Sequence, residues 1–370
     1  MKLRVGLIGL GDQWESRHRD ALRSLSDRFE VCAICCEVAH RSSMVAKEFG
    51  ASPIDGFRAM LERNEIDAVL ALASDWVGPL PIIAACEAGK AVYSTGAFDL
   101  IPEQVDELRR RVDDSGVAFM TELPRRHAPA TIRIKELIAT RLGQPRLIFC
   151  HQRFSVEQQT DRLRRGKYCP VAWRNMMELV DWVCYLTDRT PSSVTSARYL
   201  DDRCVPEAKS ADDSITNGSV QTKSMAADTS GSAGPQHETY YQMVNLQFDS
   251  EDGSDPIMAQ ISVGHYIPDS WPDALSYRRP AEVQIACENG AAFADLPTNL
   301  IWFDRAGQHT ESLEQDMPVG QQMLTNFHRS VTSLVRNSAD MQNAYRAMSI
   351  VLAANESSES GKRVPLNFGD

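Results

Sequence analysis

No stretch of this 370-residue chain approaches the roughly 20 consecutive apolar residues a membrane helix needs, so a spanning helix is not expected. The chain is also short of positive charge. Its 39 Lys and Arg face 50 Asp and Glu, a net charge of −11, and that sign repels nucleic acid and anionic lipid alike. Neither nucleic acid nor membrane is an expected partner; an anionic small molecule would have to be met by particular arginines or helix N-termini. The nine cysteines are odd in number and scattered, which excludes a disulfide framework of the extracellular kind. Cys32 and Cys35 have the spacing of a metal pair, but EVCAICC reads as a buried strand, and residues three apart on a strand face opposite sides. No metal is expected. The apolar N-terminus is too short and glycine-rich for a signal segment and runs into Asp12 and Glu15. A cytoplasmic location follows as an expectation.

What is present is enough apolar residue, 43% against 24% charged, to fill the cores of about two domains. KLRVGLIGL, FEVCAICC, IDAVLALAS, KAVYS and VAFMT are short runs of the kind buried on both faces of a sheet. SRHRDALRSLSD, RSSMVAKEFG, GFRAMLERN, PLPIIAACEAG and IPEQVDELRRRVDDSG lie between them as helices, several closing on a glycine: Gly50, Gly89, Gly116. Such alternation predicts a doubly wound parallel α/β domain over 1–122.

From Leu123 the rhythm changes. PATIRIKELIATRLG and VAWRNMMELVDWVCYLTD read as helices, RLIFCHQRF as a strand. VTSARYL, TYYQMVNLQFD, PIMAQISVGHY, AEVQIACEN, AAFADL and LIWFD then follow as strands without helices between them. Residues 123–370 therefore predict an α+β domain with an open, mainly antiparallel sheet and helices on one face, closing on two helices. Residues 201–238, rich in Ser, Asp, Ala and Gly, read as an inserted solvated loop. An apolar sheet face left open suggests a homo-oligomer, dimer or tetramer.

LIGLGDQW ends the first strand. At Gly9 and Gly11 a β-carbon would obstruct a pyrophosphate, and the following helix supplies N–H donors. Gly9, Leu10, Gly11, Asp12, Gln13 and Trp14 are thus candidate cofactor contacts. Trp14 stands where a third glycine is usual, so its side chain is expected to swing out of the turn, over the cofactor or into solvent. Glu37 closes the second strand at about the spacing used to bind the adenosine ribose, and Arg41 lies near enough to take a 2′-phosphate. The cofactor is NAD or NADP.

These residues carry a resemblance. VGLIGLG at 5–11, His18 with Ala21 and Leu22, AKEFGA at 46–51, IDAVLALAS at 66–74 and ACEAGKAV at 85–92 resemble the Gfo/Idh/MocA family. So do ELPRRHAPA at 122–130, ELIATRLGQPR at 136–146 and the closing AYRAMSIVLAANESSESGKRVPL. His18 fits that pattern only if the glycine turn is one residue longer than usual. The resemblance implies a Rossmann domain followed by a substrate domain, and an oxidoreductase acting on a sugar-like or polyol substrate. It places Ser74, Asp75, Thr95 and Gly96 beside the cofactor. The family's Glu-Lys-Pro, with its catalytic lysine, is Thr95, Gly96 and Ala97 here. Lys90 cannot replace that lysine, because six strand residues at about 3.3 Å leave it roughly 20 Å away. On the second-domain helix the family's Asp, His and Asp are Arg174, Glu178 and Asp181. A base must lie within reach of the substrate hydroxyl. Glu178, Asp181, His127 or Tyr168 is expected to serve, with burial raising the pKa of Glu178. Arg125, Arg126 and Arg174 are candidate substrate contacts, although an interdomain salt-bridge cluster fits the first two equally. Two other uses remain open: a non-catalytic nucleotide-binding or scaffold protein, and an NAD-assisted lyase, epimerase or glycosidase.

Overall fold

The computed structural model describes residues 1–73, 76, 78–95, 102–153, 171–200, 240–249, 255–267, 271, 273–274, 277, 279–333 and 339–368. Strands β1 (Leu3–Ile8), β2 (Phe29–Cys35), β3 (Ser52–Pro53), β4 (Ala68–Ala71), β5 (Ala91–Ser94) and β6 (Phe119–Thr121) make a parallel sheet in the order β3-β2-β1-β4-β5-β6. Helices α1 (Arg19–Ser24), α2 (Ala39–Phe49), α3 (Phe57–Leu61), α4 (Leu80–Glu87) and α5 (Pro102–Ser115) connect them. The order reverses between β1 and β4, and a crevice opens at the carboxyl ends where it does. The two-residue β3, with an exposed proline, was not foreseen.

Alternation along the strands divides the core. Leu3, Val5, Leu7, Phe29 and Val31 pack on one side of the sheet, and Ile8, Val69, Ala71 and Val92 on the other. The first side is closed by a distant helix, α8 (Val319–Thr332), whose Met323, Leu324 and Phe327 are wholly buried there. Each contributes on the order of 2 kcal/mol. Gly50, Gly89 and Gly116, with φ of +68°, +66° and +62°, end their helices as the sequence predicts.

The second sheet has nine strands: β7 (Pro145–Arg153), β8 (Ser193–Leu200), β9 (Tyr240–Phe248), β10 (Ile257–His265), β11 (Val283–Cys287), β12 (Ala291–Asp295), β13 (Asn299–Asp304), β14 (Gly307–Ser312) and β15 (Val364–Pro365). Their order is β14-β13-β12-β11-β7-β10-β9-β8-β15, antiparallel throughout except for the parallel pair β7–β10. Strand β14 adds to those expected, and β15 falls in the closing stretch that the resemblance includes. Helices α6 (Pro129–Leu137), α7 (Val171–Thr187) and α9 (Ala339–Ser360) belong to this half of the chain, and Trp182 of α7 packs among the inward residues of the sheet. Leu147, Phe149, Met258, Ile301 and Phe303 stay partly exposed. The predicted insertion at 201–238 lies outside the described residues. Among the described residues no helix is long and apolar enough to cross a membrane.

Candidate functional site

The turn after β1 is built from close backbone approach. Gly9 has φ +75°, and a β-carbon there would sit 2.4 Å from Cβ of Ala73; one at Gly11 would sit 2.0 Å from the Leu72 carbonyl oxygen. Both glycines are therefore demanded by the chain leaving β4, which is held by Leu72 N–H donating to the Ile8 carbonyl at 2.9 Å. The chain then makes a five-residue π-helical turn, Trp14–His18, entered through two N–H groups, of Arg17 and His18, that share the Gln13 carbonyl. Such a turn takes up one residue more than an α-turn. It holds the extra residue that the position of His18 requires.

Trp14 does not swing outward. It is 1% exposed and packs against Phe49 with ring centroids 6.0 Å apart, because the turn directs its indole into the core below the glycines. Gln13 also turns aside, its Oε1 accepting from Ser16 at 3.0 Å. The crevice above, about 510 Å³, is lined by Gly9, Leu10, Gly11, Asp12, Glu37 and Arg41, with Trp76 on one wall. Sequence reasoning named the first six and missed Trp76.

Beneath this crevice lies a buried polar quartet that the sequence did not disclose. Glu122, just after β6, accepts from Arg17 at 2.5 Å, from Tyr93 at 2.7 Å and bonds His18 Nε2. Burial pushes the Glu122 carboxyl up. The hydrogen bond to His18 and the charges of His18 and Arg17 outweigh it and hold it at about 2. One carboxylate thus ties the turn after β1 to β5 and β6. The only hint in the sequence was the place of His18.

The candidate acid/base and substrate residues meet at the second domain, in ion pairs. Arg126 grips Asp181 through Nε at 2.8 Å and through Nη2. Burial pushes the Asp181 carboxyl up, with Arg126 opposing. Arg125 donates to Glu282 and to Gln152, each at 2.9 Å, and lies over the Trp182 ring. Glu178 sits between two guanidinium groups, 3.3 Å from Arg174 Nε and 3.9 Å from Arg125 Nε. It is therefore flanked by charge rather than desolvated alone, which departs from the environment expected of it. The salt-bridge cluster is what forms at Arg125 and Arg126, since α7 presents carboxylates directly to them.

His127 lines a second cavity of about 450 Å³ with Arg126, Tyr185 and Asp340, which among the described residues shares no lining residue with the first. Burial, then Arg126, keeps its imidazole below the usual histidine range. Burial pushes the Asp340 carboxyl up to about 6, with Arg126 opposing and Asp181 reinforcing. Thr95 N–H donates to the Ala71 carbonyl at 3.1 Å, which fixes it at the carboxyl end of β5. Lys90 is at the other end, its ammonium donating to the carbonyls of Arg63 and Ile66 at 2.9 and 2.7 Å. Ser74, Asp75, Gly96 and Tyr168 lie outside the described residues.

Residues 3–122 match the Gfo/Idh/MocA family model, an oxidoreductase family with an NAD-binding Rossmann fold. Over 141 residues, 37% of the chain, there is 27% identity to dTDP-3,4-didehydro-2,6-dideoxy-alpha-D-glucose 3-reductase of Actinomadura kijaniata. That match spans 41% of the reductase's own length. The whole fold is similar to that of myo-inositol 2-dehydrogenase from Lactobacillus plantarum, with TM-score 0.71 and 16% identity, covering 99% of this chain and 100% of the other. It is also similar to aldose-aldose oxidoreductase from Caulobacter crescentus in complex with glycerol, with TM-score 0.76, 13% identity and the same coverage.

Proposed function

We propose, from the match of residues 3–122 to the Gfo/Idh/MocA oxidoreductase family model, that the protein is an NAD- or NADP-dependent oxidoreductase acting on a sugar-like or polyol substrate. One observation carries the reading: the glycine turn, Glu37 and Arg41 line a single crevice at the strand-order reversal, in a domain that matches that family's model. A dinucleotide fits there. The backbone at Gly11 and Asp12 would receive its pyrophosphate. Glu37 would accept from the adenosine ribose, and Arg41 would meet a 2′-phosphate if one is present. Thr95, at the carboxyl end of β5, would border its nicotinamide end. The bound nicotinamide supplies the hydride acceptor or donor.

The chain's own task is to hold the substrate and move the hydroxyl proton. With glycine where the family has its lysine, Glu178 is our candidate base, oriented by Arg174 and Arg125. Asp181 and Arg126 position the loop after β6 against α7, and His127 is the alternative base. The sugar substrates named for the similar proteins support the substrate class. We also assign a homo-oligomer formed through the exposed face of the nine-stranded sheet. A cytoplasmic location is supported by the seven described cysteines, all unpaired.

The test is oxidation of a panel of cyclic and linear polyols by the wild type and Glu178→Gln, with cofactor binding measured alongside. The reading expects turnover by the wild type, and a variant that binds cofactor normally yet oxidises at least 100-fold more slowly. Equal rates would remove Glu178 from the chemistry. No turnover with either cofactor across the panel would argue for a binding role instead.

A further inference from the structure

We propose that Trp76 and Val38 form a clamp for a flat heteroaromatic base, and that this clamp takes the adenine of the dinucleotide. The assignment rests on the dinucleotide reading of the crevice and adds the side chains that hold one end of the ligand. Trp76 is half-buried. It packs in part against the core, and the rest of it lines the crevice. Val38 lines the same crevice and is 55% exposed. Each therefore leaves apolar surface open to water in a cleft, where a ligand that covers it gains from the burial.

The strand order β2-β1-β4 sets the two on opposite sides of the glycine turn. Gly9 N–H donates to the Cys35 carbonyl at 2.7 Å, which ties the turn to the end of β2. On the other side Ala73, just beyond β4, lies so close that a β-carbon at Gly9 would meet its own at 2.4 Å. The chain then turns at once, with Trp76 N–H donating to the Ala73 carbonyl at 3.4 Å, and keeps Trp76 at the crevice. Strands β2 and β4 stand two spacings apart, about 10 Å. A flat ring with carbon contacts on both faces takes up about 7–8 Å, so one base fits between their ends.

A dinucleotide offers two rings, and position chooses between them. Val38 follows Glu37, which would meet the adenosine ribose, and both line this crevice. Thr95, at the end of β5, does not line it, and β5 lies beyond β4 from β1. Trp76 thus shares its space with the adenosine end rather than the nicotinamide end. Among the described residues that line the crevice, Trp76 alone is aromatic. Indole stacks on a purine through the ring face, whatever hydrogen bonds the base edges make.

The test is the affinity of the full chain, by calorimetry, for NADH and for ADP-ribose, which keeps the adenosine and pyrophosphate and lacks the nicotinamide. Wild type, Trp76→Leu, Trp76→Phe and Val38→Ser would be compared. Val38 is the residue that precedes α2, where serine is favoured, so this variant keeps the test open even if Trp76→Leu fails to fold. We expect Trp76→Leu to weaken both ligands by the same factor, about tenfold, and Trp76→Phe to recover most of the loss. Val38→Ser should cost about threefold. The clamp is overturned if Trp76→Leu and Val38→Ser bind both ligands as the wild type does. It is also overturned if NADH alone is weakened, since Trp76 would then face the nicotinamide, or if phenylalanine does no better than leucine, since stacking would then play no part. A wild type that binds neither ligand would instead overturn the dinucleotide reading, and the clamp with it.

Discussion

The two candidate ligand walls are built on opposite principles. The dinucleotide wall is backbone: glycines, short turns and strand ends that leave no room for side chains and keep few of their own in the crevice. The second wall, from Arg125 to Asp181, is side chain, long guanidinium groups locked onto carboxylates. Backbone geometry of the first kind is specified locally by residue type. Ion pairing of the second kind depends on which helix faces which loop. A ligand on the first wall would meet backbone already in place, while one held by the second would have to displace internal partners.

Breaking the second wall should cost the most. Arg126→Ala leaves the Asp181 carboxylate 4% exposed and unpaired, and is expected to destabilise by about 3–5 kcal/mol in chemical denaturation. Replacing both residues by leucine should recover most of that, since the uncompensated charge is then gone.

The quartet below the crevice comes next. The Glu122 carboxyl is held at about 2 against an ordinary 4.5. Its contribution, about 3 kcal/mol, is therefore present above pH 4.5 and lost as the pH falls toward 2. Glu122→Gln should flatten that limb of the stability–pH curve. An unchanged acid limb would show that the quartet does not govern it.

Gly11→Ala sharpens the comparison on the backbone side. Its new β-carbon meets a carbonyl oxygen 2.0 Å away, so about 1–3 kcal/mol of stability should go, together with NADH binding. If only binding falls, the glycine serves the ligand rather than the chain after β4. Smallest is Glu37→Ala, expected to weaken NADH about tenfold and NADPH less, with the melting temperature unmoved.

The sequence disclosed the first wall well because its cues are local. Gly9 and Gly11 after an apolar strand, Glu37 at the end of the next, and a His18 one position late each have a conformational meaning. The late histidine became the π-helical turn. Trp14 misled because a bulky residue near the glycines suggests exposure, whereas the longer turn points it inward. The second wall was half legible: charge at 125, 126, 174, 178 and 181 was plain, but the pairing was not. Only the docking of α7 on the loop after β6 decides that Arg126 takes Asp181 while Glu178 falls between Arg125 and Arg174. Helix α8 showed its apolar face in the spacing of Gly320, Met323, Leu324 and Phe327, but nothing local says that this face docks on the first sheet, some 200 residues away in sequence.

Everything proposed for the crevice rests on its taking a nicotinamide dinucleotide. Trp76 on its wall and Trp14 beneath its turn make the direct measurement a titration with NADH and NADPH, read by energy transfer from tryptophan to the reduced nicotinamide. Saturable transfer is expected at micromolar cofactor, reduced in Trp76→Phe and weakened in Gly11→Ala. Absence of transfer, and of heat in calorimetry, up to millimolar cofactor would contradict it.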